Sequence, residues 1–172
     1  MPLTEAALER SRALAGKDPL AEPLAEYLAE HVEEELDHDE TLLGDLEVLG
    51  IDRRSVFKRM PSPDVAALVG QQYYWILHFH PIAFLGYVAV MEGFPPTPEL
   101  IETLIERTGF PRDAFTTYVE HAELDPGHRD HLDRILDSLP LEPWHEAALG
   151  VSAISTAVMG ARTLEAIVDQ DS

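Results

Sequence analysis

Apolar and polar positions along the chain recur at helical spacing and are punctuated by helix start and stop signals. Thr4 precedes a short helical pattern that stops at Gly16. A longer pattern runs from Pro23 to Leu49 and ends at Gly50, a residue suited to the left-handed position after a helix. Asp52 is placed to cap a short helix through Ser55 to Arg59, and Ser62-Pro63 sets an N-cap before a proline at the first helical position. The segment that follows, VAALVGQQYYWILHF, is apolar almost all round, which predicts a helix buried on most sides. Pro81 then kinks it or starts a new helix, which ends at Gly93. Thr97-Pro98-Glu99 opens another, ending at Gly109, and Pro111 opens the one carrying EHAELDPGHRDHLDRILDSL. The last runs from Glu142-Pro143 to Asp169, with Ala148, Val151, Ile154, Val158, Ala161, Leu164 and Val168 at helical spacing. No stretch alternates as a half-buried strand does, and the absence of Asn removes the Asn-Gly hairpin turn. The pattern predicts an all-α, single-domain helical bundle of about seven helices over residues 1–172, with 1–20 as an N-terminal helix or extension.

Composition narrows the function classes. The chain of 172 residues has 12 Lys+Arg against 32 Asp+Glu, a formal net charge of −20. Nucleic acid and anionic membrane are polyanions that this surface repels, so neither is expected as a partner. The lack of Cys excludes disulfides, cysteine nucleophiles, thiolate zinc sites and Cys-ligated iron–sulfur clusters. The N-terminus lacks the basic start and apolar run of a secretory signal. The apolar stretch from Tyr73 to Met91 is interrupted by His78, His80 and Pro81, a poor match to the roughly 20 clean apolar residues of a membrane span. A cytoplasmic chain is the expectation.

Two segments carry candidate chemistry. His31-Val-Glu-Glu-Glu35-Leu-Asp-His38 and His121-Ala-Glu-Leu-Asp125-Pro-Gly-His128 both place a carboxylate four residues after a His and a second His three further on. On a continuous helix such offsets fall within an arc of roughly 60°, so each segment would point two imidazoles and one carboxylate the same way. A Glu–His pair three apart is the spacing with which helical bundles hold di-iron or di-manganese. Imidazole and carboxylate without sulfur suit iron or manganese. The bland alternative is a pair of solvated acidic helix faces. Pro126 and Gly127 inside the second segment cost about 3 and about 1 kcal/mol in a helix interior; either function overrides helix stability there or the helix ends at Leu124. Glu92 closes the apolar run PIAFLGYVAVMEG, where a carboxylate is paired, protonated, metal-bound or at the water's edge.

With EEELDH, VMEGFPP and HAELDPGHRDHLD in view, the chain resembles the heme-oxygenase-like di-iron oxidases and oxygenases, the iron-containing redox enzymes related in fold to TenA-type thiaminases. The resemblance spans residues 24–168, in the order early carboxylate and His, middle Glu, then His-x3-Asp-x2-His. It implies a heme-oxygenase-like fold and, as metal ligands, Glu35, His38, Glu92, His121, Asp125 and His128. Several members of that group carry a Glu seven residues before the early His. Here that position is His31, so Glu35 stands in for the carboxylate and His31 is an outer group or an alternative ligand.

The resemblance further implies two iron ions cycling between Fe(II) and Fe(III), with manganese as an alternative, and dioxygen as co-substrate. The expected activity is oxidation of a small metabolite: an amino-acid-like compound, an amine or a carboxylate. The electron donor stays unidentified and a homodimer is left open. The alternatives are a non-catalytic metal- or ligand-binding helical protein, and a heme-binding or heme-degrading protein of the same fold with His38 as axial ligand. The aromatic cluster of Tyr73, Tyr74, Trp75, Phe79, Phe84 and Tyr87 lines a pocket or fills the core.

Overall fold

A computed structural model describes residues 2–170, with the side chains of residues 125, 126 and 168–170 left outside the description. Nine α-helices and no strands occur among the described residues. They are α1 (Pro2–Leu14), α2 (Ala21–Glu34), α3 (His38–Val48), α4 (Arg53–Val56), α5 (Pro63–Tyr74), α6 (Phe84–Met91), α7 (Pro98–Thr108), α8 (Thr116–Ser138) and α9 (Pro143–Gln170). Ser62 and Thr97 cap α5 and α7 as expected, each accepting a hydrogen bond from the backbone N–H three residues on.

The all-α expectation holds, and the departures from it matter for the site. The single helix expected from Pro23 to Leu49 is two helices. Glu30, Glu33, Glu34 and Asp37 stand three and four residues apart and repel one another along a continuous helix. Asp37 adopts φ 68°, the left-handed region that a short polar side chain tolerates, and the chain turns there. Conversely, α8 runs unbroken through positions 126 and 127. Between α5 and α6 the backbone passes through a π-helical turn (Trp75–Phe79), an extended His80 and a 3-10 turn (Pro81–Ala83). Pro81 cannot supply the helical N–H, so the apolar run bends into α6.

The main core joins Ala7 and Leu8 of α1, Leu24, Tyr27 and Leu28 of α2, Ile76, Ile82, Phe84, Leu85 and Val88 before and along α6, and Leu132 of α8. A smaller core of Ile101, Ala114 and Phe115 seats α7 against the start of α8. His80 is buried and its Nε2 lies 2.9 Å from Asp18 Oδ2, which tethers the bend to the α1–α2 loop. Helix α6 lies on α9 so closely that a Cβ on Gly86 would clash with the Leu149 carbonyl oxygen.

The inner face of α9 is small and polar: Ala148, Ser152 and Thr156 are buried. The fully buried Gln72 amide of α5 donates to Thr156 Oγ1 at 3.0 Å, and its carbonyl accepts from Ser152 Oγ at 3.5 Å. The apolar stripe of α9 points the other way, with Val151, Ile154, Val158 and Leu164 exposed. On α5 and the turn after it, Val65, Val69, Tyr74, Leu77 and Phe79 are exposed too. The expected burial of VAALVGQQYYWILHF on most sides is therefore corrected: α5 and α9 form an outer layer that no described helix covers. Pro143–Ile167 is long and apolar enough to cross a membrane by length and composition, unlike the Tyr73–Met91 stretch.

Candidate metal centre

Four chain segments bring their donors to one place: the end of α2, the start of α3, the end of α6 and the middle of α8. The break at Asp37 frees Glu35 and His38 from a helical register, so the side chains converge rather than run along a face. His38 Nδ1 lies 3.0 Å from Glu35 Oε2. His31 Nε2 lies 3.1 Å from Glu92 Oε1. Two donor groups result, His31–Glu35–Glu92 and Glu35–His38–His121, each with ligand atoms within 4.8 Å of one another. Glu35 belongs to both.

Helix α8 is held in place from α3. The buried Asp45 carboxylate accepts from the Thr116 and Thr117 backbone N–H groups at 3.2 and 2.8 Å, satisfying two free donors at the α8 N-terminus. One turn on, His121 Nδ1 donates to the Thr117 carbonyl at 2.8 Å. That hydrogen bond sets the tautomer and leaves Nε2 as a lone-pair donor, the arrangement metal-binding imidazoles take. The His121 and His38 rings are 5.0 Å apart.

His128, two turns from His121, is buried, with Nδ1 3.7 Å from Glu35 Oε1 and 3.6 Å from Glu92 Oε2. The structure thus brings Glu35, His38, Glu92, His121 and His128 together. The side chain of Asp125 lies outside the described residues. His31, which the family resemblance left as an outer or alternative ligand, sits inside the cluster at 3% exposure. It belongs there because α2 packs on the core while α3 turns away, so the α2 face and not the His31–His38 interval decides which atoms meet.

The donor set fits a divalent transition metal. Oε1 of Glu35 and Oε2 of Glu92 are buried and accept no hydrogen bond among the described residues. The His128 ring stands 3.6–3.7 Å from both, too long for a hydrogen bond, and a buried carboxylate oxygen without a hydrogen bond is costly unless a cation lies close to it. Imidazole nitrogen with carboxylate oxygen and no sulfur is the donor chemistry of iron and manganese. Burial pushes His31 down, but the Glu92 hydrogen bond and the charges of Glu92, Glu35 and Glu34 outweigh it, so the imidazole titrates above its ordinary value. Burial, followed by the charges of Glu92, Glu34 and Glu35, raises the Tyr27 phenol.

A cavity of about 300 Å³ opens on the cluster. Its other walls are Thr4, Phe84, Tyr87, Val88 and Met91. Met91 and His121 also line a second hollow, with Phe94, Pro96 and Tyr118 at its rim, so the two adjoin. Of the aromatic cluster read from the sequence, Phe84 and Tyr87 reach the cavity, whereas Tyr74 and Phe79 face solvent. Tyr27 escaped that reading: its ring stacks on His31 at 5.8 Å between centroids. Its place four residues before His31 on α2 was the available signal.

A family model described as iron-containing redox enzyme matches residues 9–158. A crystal structure from Shewanella denitrificans, of a domain of unknown function with a heme oxygenase-like fold, superposes with a TM-score of 0.84 at 17% sequence identity. The match covers 97% of this chain and 71% of that one. A search of curated proteins returned no match.

Proposed function

Since the chain belongs to the iron-containing redox enzyme family, we propose that it is a non-heme di-iron oxidase or oxygenase that uses dioxygen to oxidise a small metabolite. The observation that carries this reading is Glu35, one carboxylate common to two adjoining donor groups. His31 and Glu92 would hold one iron and His38 and His121 the other, with Glu35 between them and Asp125 and His128 completing the set. Iron bound there supplies the electrons that activate dioxygen. The residues of the chain do the rest. The His121–Thr117 hydrogen bond presents Nε2 to the metal side. The carboxylates of Glu35 and Glu92 would offset the positive charge of bound iron. Phe84 and Val88, both buried, wall the inner side of the cavity and with the half-exposed Met91 would hold the apolar part of an amine or carboxylate substrate, while Thr4 and Tyr87 offer hydroxyls for its polar end.

The heme reading gains no support: His38 Nδ1 lies against Glu35 and the cavity beside it is lined by two carboxylates. The test is anaerobic loading with Fe(II), elemental analysis and oxygen uptake. Two irons per chain and rapid oxygen consumption are expected. Failure to bind two irons per chain, or iron-loaded protein inert to oxygen, would overturn the proposal.

A further inference from the structure

Helix α9 turns its apolar side to solvent. Ile154, Val151 and Val158 are 69%, 51% and 46% exposed. Ile154 lies opposite Ser152 and Thr156, the residues that face the core. The outward positions 147, 151, 154, 158 and 161 alternate in steps of four and three, the spacing of the seam in a two-helix coiled coil. Read from either end they are Ala, Val, Ile, Val, Ala. We propose that this stripe joins two copies of the chain, with α9 antiparallel to its own copy about a two-fold axis at Ile154. Ala147 then lies level with Ala161 of the other copy, and Val151 lies within one residue, about 1.5 Å, of the level of Val158, so the apolar stripe of one copy faces that of the other as a two-fold contact requires.

Charge selects the occupant. On a chain with a formal net charge of −20, residues 147–161 contain no ionisable side chain. Two copies approaching through α9 keep their acids apart, whereas most other faces set carboxylate against carboxylate. The same excess of acid opposes an anionic lipid surface. The alternating small and branched residues suit helix-to-helix packing. Four turns of one helix fall short of the roughly 800 Å² per partner of a stable interface. Helix α5, which packs beside α9, also exposes Val65 and Val69, so the contact needs more than α9 alone. The inference stands apart from the metal reading.

The chain has no Cys, so introduced thiols report contacts directly. Light scattering on the full chain should give twice the 19.2 kDa chain mass, and Ile154→Asp should return it to the monomer with unchanged helical circular dichroism. Under mild oxidation Ile154→Cys should form a covalent dimer, whereas Phe57→Cys, exposed but remote from the stripe in sequence, should not. Val151→Cys alone should fail, because the axis sets the two thiol-bearing positions about 9 Å apart along the helices, beyond the roughly 7 Å a disulfide spans. The Val151→Cys/Val158→Cys double variant should cross-link. A monomer at micromolar concentration would overturn the proposal. So would efficient cross-linking of Val151→Cys alone, or sedimentation with phosphatidylcholine vesicles that Ile154→Asp abolishes.

Discussion

Glu35 stands at the C-terminal end of α2, where its carboxylate is no longer bound to a helical face, and it is the residue through which both donor groups communicate. On the proposed two-iron reading, removing it should therefore act on both ions. Glu35→Ala is expected to drop iron content from two per chain to near zero, and His38→Ala to leave about one, read by elemental analysis after gel filtration. His31 offers a pH test. Its folded-state value is raised, so in the metal-free chain its ion pair with Glu92 contributes stability that is fully present below about pH 6.5, the unfolded value, and is lost as pH rises through the folded one. The melting-temperature advantage of metal-free wild type over His31→Gln should shrink across that window. Iron affinity should rise over the same range, since a metal takes the neutral imidazole. A constant difference in melting temperature from pH 6 to pH 9 would contradict the assignment of the shift to Glu92.

Among the elements, the connection between α3 and α8 does most to position the site. Asp45 lies in α3 and supports the first turn of α8, whose Thr117 carbonyl in turn orients His121. Asp45→Ala strands two backbone donors and is expected to cost about 2–3 kcal/mol in denaturant unfolding, in the range of charge-assisted hydrogen bonds. It should also weaken iron retention without touching a ligand. The α6–α9 contact is the other support. Gly86→Ala pushes a methyl group into the Leu149 carbonyl, backbone that has little room to give. A loss of about 1–3 kcal/mol is expected, the cost of overpacking, with Glu92 displaced because α6 ends one residue before it. Unchanged stability in Gly86→Ala would show that α6 sits less tightly on α9 than the structure has it.

For the whole molecule, the dominant quantity is charge. A net −20 on 172 residues raises the energy of the folded state by self-repulsion. Adding sodium chloride from low to physiological ionic strength shortens the screening length to about 8 Å and should raise the melting temperature. Magnesium at equal ionic strength should do no more than sodium if the effect is screening, and iron should exceed both through the centre.

Much of this was legible along the chain. Helix caps at Ser62 and Thr97, the stop at Gly109 and the all-helical class follow from local chemistry, because caps and left-handed stops act within one turn. The donor types of the candidate cluster were legible as well, because His and carboxylate recur at helical spacing in 31–38 and 121–128. Tertiary structure decided the rest. It brought α6 and α8 to the turn at Asp37, so that a predicted face of His31, Glu35 and His38 became two converging groups. It placed His31 inside the cluster. It turned the stripe of α9 outward, because Gln72 holds Ser152 and Thr156 inward through hydrogen bonds from another helix. Spacing along one helix tells which side chains share a face; which face looks inward depends on partners far away in sequence, and no periodicity within the helix encodes that.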